Sequence, residues 1–290
     1  MVKMNNKWYK NLKDNIIGIP IKENPPQWQS STPVPEWQLM DLGRRSPFFV
    51  NGFQDYNRDE EFAKLIKNKK IIYVGPSPHL RGQGMGSFID SFDLVIRINQ
   101  AFEIPESDWE DYGSRTDILM NCLNINKIKA LGNNVDFARS LKYIVCPMVS
   151  MWDIKRAEDF LNLVGTPWHN VSDGYLFKVF KEVGTTCNTG LMGIITLLNY
   201  DIKQLHVTGM TFFNMNKFGK IYYDKYHDEA VKNNNFKNTL TKEPSLRDLR
   251  IDIHQQEPQI EYFRRMVKQH YGKTLTLDEY LTINFVIGSN

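Results

Sequence analysis

A glycine-rich loop follows a short apolar run in the stretch IIYVGPSPHLRGQGMGSFIDSFDLVIRIN, residues 71–99. Small residues let backbone amides come close to a phosphate or a ribose, and hydroxyls add hydrogen-bond donors. The spacing matches neither the dinucleotide fingerprint G-x-G-x-x-G nor the phosphate-binding loop that ends in Gly-Lys-Ser/Thr. The loop is therefore a candidate nucleotide site, and an ordinary tight turn explains it almost as well. Its small residues are Gly75, Ser77, Gly82, Gly84 and Gly86.

A second group of polar residues crowds the predicted start of an apolar helix, in TTCNTGLMGIITLL over residues 185–198. One such residue is a routine N-cap that contributes about 1 kcal/mol, whereas four in five positions exceed what a cap requires. Helix N-terminal amides together with hydroxyls form a cradle for a phosphate or a carboxylate. Anion binding and simple capping stay as equal alternatives. The four residues are Thr185, Thr186, Asn188 and Thr189.

Polar residues also stand at one strand end and in two loop-like segments. Arg97 and Asn99 end the run DLVIRIN, where the apolar pattern would otherwise continue. His227 and His254 lie in polar surroundings, and His254 comes just before a predicted helix. A neutral imidazole, whose ordinary pKa is about 6.5, suits a general base. A lone histidine before a helix is usually a surface residue, so position alone assigns neither of them a role.

The elements that must position these residues alternate between strand and helix. Short apolar runs rich in β-branched residues predict buried strands, and helical patterns lie between them. We therefore predict an α/β fold with a Rossmann-like, mostly parallel sheet and helices on both faces, in a single domain. Ligands of such sheets bind outside the carboxyl ends of the strands. The predicted strands are IIYVG, DLVIRIN, DILMNC, KYIVCPM and QLHVTGM, beginning at residues 71, 93, 117, 142 and 204.

The predicted domain spans residues 59–290, and residues 1–58 differ from it. This first part is rich in proline and tryptophan and has no sustained helical or alternating pattern. Proline fixes φ and removes a hydrogen-bond donor, so we expect an extended arm. Its tryptophans predict that the arm packs on the body of the protein.

Composition excludes several classes of function. The 36 Lys and Arg residues nearly balance the 33 Asp and Glu residues, for a net charge of +3. This small, evenly spread excess argues against a nucleic-acid partner. No stretch approaches the ~20 apolar residues of a transmembrane helix, and the first residues lack the apolar region of a signal peptide. The three cysteines lack C-x-x-C spacing, which favours reduced thiols in a cytoplasmic protein over disulfides or a zinc site.

Taken in order, these stretches resemble the sialylmotifs of the eukaryotic-type sialyltransferases, glycosyltransferase family 29. VGPSPHLRGQGMGSFIDSFDLVIRINQA resembles the large motif, and DYGSRTDILM resembles the segment that follows it. NTGLMGIITLL with VTGM resembles the small motif. IYYDKYH resembles the third motif, and HQQE with its following helix resembles the very small motif.

The resemblance implies transfer of a nonulosonic acid, sialic acid or Kdo, from its CMP donor to a sugar hydroxyl of a glycan, with inversion. It implies His254 as the general base, with His227 as the alternative. It implies that Tyr222 and Tyr223 donate hydrogen bonds to the leaving phosphate. No metal or other cofactor is expected, because the chain has no D-x-D pair and the donor carries one phosphate. The residues implied to hold CMP and the donor carboxylate are Gly75, Ser77, Asn99, Asn188, Thr189 and Gly190.

The chain departs from the family pattern at several places. Pro76 follows the first glycine of the large motif, Ile221 precedes Tyr222, and Gln259 stands where the very small motif has a glutamate. No cysteine occurs in residues 71–99 or 190–210, so neither the disulfide that joins the large and small motifs of Golgi members nor their membrane anchor is expected. Two alternatives therefore stay open: a noncatalytic nucleotide- or glycan-binding protein, and a Rossmann-like enzyme for another nucleotide. The missing G-x-G-x-x-G counts against the second.

Overall fold

The computed structural model describes residues 59–99, 102, 104–147, 154–171, 173–212 and 256–287. Its centre is a seven-stranded sheet in the order β5-β4-β3-β2-β1-β6-β7, in which every neighbouring pair is parallel. The predicted α/β fold with a parallel sheet is confirmed. The strands are β1 (Lys70–Val74), β2 (Leu94–Ile98), β3 (Ile118–Met120), β4 (Tyr143–Cys146), β5 (Trp168–Asn170), β6 (Gln204–Thr208) and β7 (Leu275–Leu277).

Helices cover both faces of this sheet, as predicted. They are α1 (Glu60–Ile66), α2 (Gly86–Asp90), α3 (Trp109–Tyr112), α4 (Ile125–Asn133), α5 (Val135–Ser140), α6 (Ile154–Val164), α7 (Asp173–Val183), α8 (Thr189–Leu198), α9 (Gln256–His270) and α10 (Glu279–Thr282). Single 3₁₀ turns span Pro78–Leu80 and Glu106–Asp108, and a π-helical turn spans Ile283–Ile287.

The alternation of side chains along β1 shows how the two faces are filled. Ile71 and Tyr73 join the larger apolar cluster, which includes residues of α1, α7, α8, α9 and α10. Ile72 and Val74 point to the opposite face, where α2 and α3 cover them. The same face carries a third cluster beneath α4, α5 and α6. Because both faces are buried, the strands consist of continuous apolar runs.

The five predicted strands are confirmed as β1, β2, β3, β4 and β6, and two further strands had no clear signal. Strand β5 has three half-buried residues at one edge of the sheet, and β7 has three residues at the other. Helix α9 begins at Gln256, so Pro258 lies in its first turn, where a missing N–H costs no hydrogen bond. The predicted arm over residues 1–58 lies outside the described residues. Among the described helices, none is both long and apolar enough to cross a membrane.

The order of the strands locates the topological switch point. From β1 the chain adds β2, β3, β4 and β5 on one side, and it returns to place β6 and β7 on the other. In open α/β sheets, ligands bind in the crevice outside the carboxyl ends of the strands at such a point. The loops after β1 and β6 therefore border the candidate site.

Candidate functional site

The backbones after β1 and β6 are in direct contact through two glycines. The N–H of Gly75 donates to the carbonyl oxygen of Thr208, and the N–H of Ser77 donates to that of Gly209, both at 2.9 Å. A Cβ atom added to Gly75 would lie 2.3 Å from the Gly209 oxygen, and one added to Gly209 would lie 2.4 Å from the Gly75 oxygen. Gly75 is thus required for the close approach of two loops at the switch point.

The rest of the glycine-rich loop is tied to the protein itself. The N–H groups of Gly82 and Gly84 donate to the two carboxylate oxygens of Asp111, at 2.6 and 2.9 Å. Both glycines have positive φ angles, 73° and 60°, which glycine adopts without strain. The amides that would have to cradle a phosphate are already bonded to a carboxylate. For these two residues the ordinary-turn interpretation agrees with the structure.

Arg97 and Asn99 at the end of β2 have different surroundings. Arg97 is buried, and its guanidinium donates to the carbonyl oxygens of Tyr112 at 2.6 Å and of Arg115 at 3.0 Å. It therefore holds the segment after α3 against the sheet, and the polar strand end at this position has a structural explanation. Asn99 is half-buried at the carboxyl edge, where the site is expected.

Asn99 links the ends of β2 and β3. Its backbone is left-handed, with φ 51°, a conformation that asparagine tolerates better than most residues. Its Oδ1 atom accepts a hydrogen bond from the N–H of Cys122 at 3.1 Å, and its carbonyl oxygen accepts one from Nδ2 of Asn121 at 3.3 Å. Within the described ranges, no hydrogen bond involves Nδ2 of Asn99. The amide hydrogens of this side chain are available to a ligand at the sheet edge.

The N-terminus of α8 reaches the same edge. Asn188 is its N-cap, and its Oδ1 atom accepts from the N–H of Leu191 at 2.8 Å. The carbonyl oxygen of Thr189 accepts from the hydroxyl of Tyr73 on β1, at 3.3 Å. A Cβ added to Gly190 would meet Ile98 of β2 at 3.7 Å. The helix start is thereby placed over the ends of β1 and β2.

Cys122 lies next to Asn99 at the carboxyl edge of the sheet. Its backbone N–H donates to Oδ1 of Asn99 at 3.1 Å, and its sulfur accepts a hydrogen bond from Nδ2 of Asn124 at 3.5 Å. Burial raises the pKa of this thiol, although the nearby Lys127 ammonium lowers it in part. The thiol is therefore protonated at neutral pH. The sequence predicts Cys122 only as a reduced thiol; its position two residues after β3, at the carboxyl edge, is the signal that indicates a place beside the site.

Gln259 of α9 also contributes to the site, at the position where the very small motif departs from its family. Its side chain is buried, and its Oε1 atom accepts a hydrogen bond from the backbone N–H of Asn188 at 2.9 Å. A glutamate oxygen could accept the same bond. Gln259 in place of glutamate therefore keeps a hydrogen-bond acceptor for the backbone N–H of Asn188 at the start of α8.

The structure thus brings Gly75, Asn99, Asn188, Thr189 and Gly190, which are predicted to hold the donor, to one edge of the sheet. Ser77 lies beside Gly75, and its hydroxyl is bonded within the protein to His79. The candidate bases His227 and His254, and the candidate phosphate ligands Tyr222 and Tyr223, lie outside the described residues.

The following change tests Asn99 as a nucleotide ligand. Asn99→Ala is expected to weaken CMP binding by about 1–2 kcal/mol, because a hydrogen bond to the ligand is lost. The measurement is isothermal titration calorimetry with CMP. Asn99→Gly, which accepts the left-handed backbone without a side chain, is the matched control for backbone strain, and both variants should weaken binding equally. Unchanged affinity in both folded variants would place the nucleotide elsewhere.

Two comparisons concern the family. Residues 49–157 match the model of glycosyltransferase family 29, the sialyltransferases. This span includes the glycine-rich loop, Asn99 and Cys122, and the match confirms the resemblance that the motifs predicted. A search of curated protein sequences finds no match.

The solved structures that are similar to the chain include sialyltransferases. CstII from Campylobacter jejuni, in complex with the substrate analogue CMP-3FNeuAc, is 15% identical, with 75% of this chain and 85% of that chain covered and a TM-score of 0.51. A mammalian sialyltransferase is 13% identical, with 96% and 85% covered and a TM-score of 0.48. The likeness to CstII shows that the two chains share a fold.

Proposed function

We propose that this chain is a CMP-sugar-dependent glycosyltransferase that moves a nonulosonic acid, sialic acid or Kdo, onto a hydroxyl of a glycan. One observation supports this activity above the alternatives. In a chain that matches family 29 over residues 49–157, Asn99 and the N-terminus of α8 lie at the same carboxyl edge of a parallel sheet. Nucleotides bind at such an edge, and helix N-termini favour anions.

The proposed reaction breaks one bond and forms another at the anomeric carbon of the donor sugar. The acceptor oxygen attacks this carbon, while the bond to the phosphate oxygen breaks and CMP leaves with the electron pair. Attack from the side opposite the leaving group inverts the configuration. The hydroxyl proton passes to a general base, for which His254 is proposed and His227 is the alternative, because a neutral imidazole accepts a proton near neutral pH.

The binding roles in this proposal follow from charge. The donor has an anionic phosphate and an anionic carboxylate, and the backbone amides at the start of α8 carry partial positive charge. Asn188, Thr189 and Gly190 are proposed to hold one of these anions. Asn99 is proposed to donate from Nδ2 to the nucleotide, and Tyr222 and Tyr223 to the leaving phosphate.

A donor screen tests the proposal. The full chain is incubated with CMP-Neu5Ac or CMP-Kdo, with and without lactose as a probe acceptor, and the release of CMP is followed by chromatography. CMP release from one of the donors, with transfer or with slow hydrolysis, is expected. CMP binding with no release from either donor would support the noncatalytic alternative. Thermal stabilisation by NAD or S-adenosylmethionine, with none by CMP, would support an enzyme for another nucleotide.

Activity without a metal ion is the next expectation. Among the described residues, no group of three or more His, Cys, Asp or Glu side chains is arranged to hold a metal. A monophosphate leaving group needs less charge neutralisation than a diphosphate, and helix amides and hydroxyls can supply it. CMP release is therefore expected to be unchanged in EDTA. Loss of activity in EDTA, with recovery on adding Mn²⁺ but not Na⁺, would contradict the proposed mechanism.

A further inference from the structure

A chain of hydrogen bonds joins three buried side chains from opposite ends of the described sequence: Ser77, His79 and Asp278. The Oγ atom of Ser77 lies 2.9 Å from Nδ1 of His79, and Nε2 of His79 lies 2.9 Å from Oδ2 of Asp278. Ser77 is 2% exposed, and the side chains of His79 and Asp278 are 8% and 7% exposed. Water is nearly excluded from these groups, so their bonds to one another determine their orientation.

Asp278 makes more hydrogen bonds than its place at the start of α10 requires. As the N-cap, its Oδ1 atom accepts from the N–H of Leu281 at 2.8 Å. Its Oδ2 atom accepts from His79, from the hydroxyl of Thr208 at 2.8 Å and from the N–H of Gly209 at 3.2 Å. A cap needs only the first of these bonds. The others tie the loops after β1 and β6 together at the switch point.

The charge of Asp278 fixes the direction of the hydrogen bonds. Burial by itself raises the pKa of this carboxyl, but hydrogen bonds from His79, Leu281 and Thr208 outweigh burial and leave the pKa below its ordinary value. The carboxylate is thus ionised at neutral pH, and Nε2 of His79 donates to it. When the imidazole is neutral, its Nδ1 atom accepts, and the hydroxyl of Ser77 donates to it. Ser77 then offers only lone pairs to a further partner, and one of them already accepts from the backbone N–H of His79 at 3.5 Å.

We propose that His79 is a positioning residue for the donor nucleotide, which acts through Ser77 and the loops after β1 and β6 and does not contact the reacting atoms. This inference rests on the proposed function, because the nucleotide is the CMP donor. The basis of this proposal is that the imidazole of His79 bonds to the hydroxyl of Ser77 in the loop after β1 and to the carboxylate of Asp278. The same carboxylate accepts hydrogen bonds from Thr208 and Gly209 at the end of β6. A buried carboxylate costs desolvation energy that a plain Ser or Asn cap would avoid, which argues that the bridge serves more than the helix start.

Two amide variants divide the bridge into its halves. The amide of asparagine lies near the position of Nδ1, so His79→Asn keeps a partner for Ser77 only. The amide of glutamine reaches the position of Nε2, so His79→Gln keeps a partner for Asp278 only. His79→Phe removes both bonds and keeps an aromatic ring against Tyr280, whose ring centroid lies 5.3 Å from that of His79. Asp278→Asn keeps a good N-cap and disrupts the network.

Each variant is measured by CMP calorimetry, by thermal unfolding and by hydrogen exchange of the amides of Ser77 and Gly209. His79→Phe and Asp278→Asn are expected to raise the Kd for CMP about tenfold, the scale of one lost hydrogen bond, and the two amide variants less. Amide exchange at Ser77 and Gly209 should be faster in His79→Phe. In the unchanged protein, ¹⁵N NMR should show the Nε2–H tautomer of His79. If His79→Phe does not fold, the two amide variants carry the same test.

Folded variants that bind CMP within twofold of the unchanged protein would overturn the positioning role, as would unchanged exchange at both amides. The role would also be overturned if, in both His79→Phe and His79→Gln, CMP affinity fell only in proportion to the fall in unfolding temperature. If the unchanged protein itself does not bind CMP, the proposed function is wrong and this role falls with it. The two failures are distinguishable. If only the positioning role is wrong, the unchanged protein binds CMP and the variants bind it equally well.

Discussion

The His254→Ala variant is expected to bind CMP almost as tightly as the unchanged protein and to lose about 10²–10⁴-fold in turnover, the usual effect of removing a general base. His254 stands two positions before Gln256, the first residue of α9, in the sequence, and the same helix contacts the N-terminus of α8 through Gln259. His254 is therefore close in sequence to α9, the helix whose Gln259 contacts the candidate site. The measurements are CMP calorimetry and the rate of CMP release.

His227→Ala is the matched control, and it should lose much less turnover. The pH profile adds a second test, because a histidine base must be neutral to accept a proton. Turnover of the unchanged protein should fall as the pH drops below the pKa of the base, ordinarily about 6.5. The residual activity of His254→Ala should lack this acidic limb. If His227→Ala shows the larger loss, the assignment to His254 is wrong.

The Gly75→Ala variant is expected to lose about 3 kcal/mol of unfolding free energy, the upper part of the range for overpacking. The added methyl would lie 2.3 Å from the backbone oxygen of Gly209, and a backbone atom cannot move aside without displacing its strand. The φ angle of Gly75 is not in the left-handed region, so steric overlap alone causes the loss. Urea denaturation measures it, and CMP affinity should fall as well.

Gly190→Ala is the contrasting variant. Its methyl would come within 2.7 Å of the terminal methyl of Met210, the end of a flexible side chain that can rotate away. We expect a loss of about 1 kcal/mol, at the low end of the overpacking range. Equal losses in the two variants would show that the loop after β6 yields easily, contrary to the close contact between Gly75 and Gly209.

The sequence predicts the strands of this fold well because each buried strand leaves a compact apolar run. It also predicts that Asn99 and Asn188 lie near the carboxyl edge of the sheet, since Asn99 directly follows a strand and Asn188 directly precedes a helix. Strands β5 and β7 were missed because three residues at a sheet edge leave no distinct pattern. Local sequence therefore predicts the elements and the loops between them.

What the sequence could not show is which polar groups already have partners. Gly82 and Gly84 match a phosphate-binding loop in composition, yet their amides bind Asp111, 27 or more residues away. Ser77 matches a ligand-binding hydroxyl, yet it belongs to a network with Asp278. Such pairings depend on tertiary contacts between distant segments, and no local pattern records them.

The position of β1 between β2 and β6 has a consequence for the synthesis of the chain. Residue Ile72 of β1 pairs with His206 of β6, so about 130 residues are translated between the two strands. At 5–20 residues per second, this takes on the order of ten seconds. During that interval β1 can pair with β2 on one side only, and its other side is an unpaired apolar edge of the kind that promotes association between chains. Protection of the nascent chain before β6 emerges is therefore expected to raise the yield of folded protein.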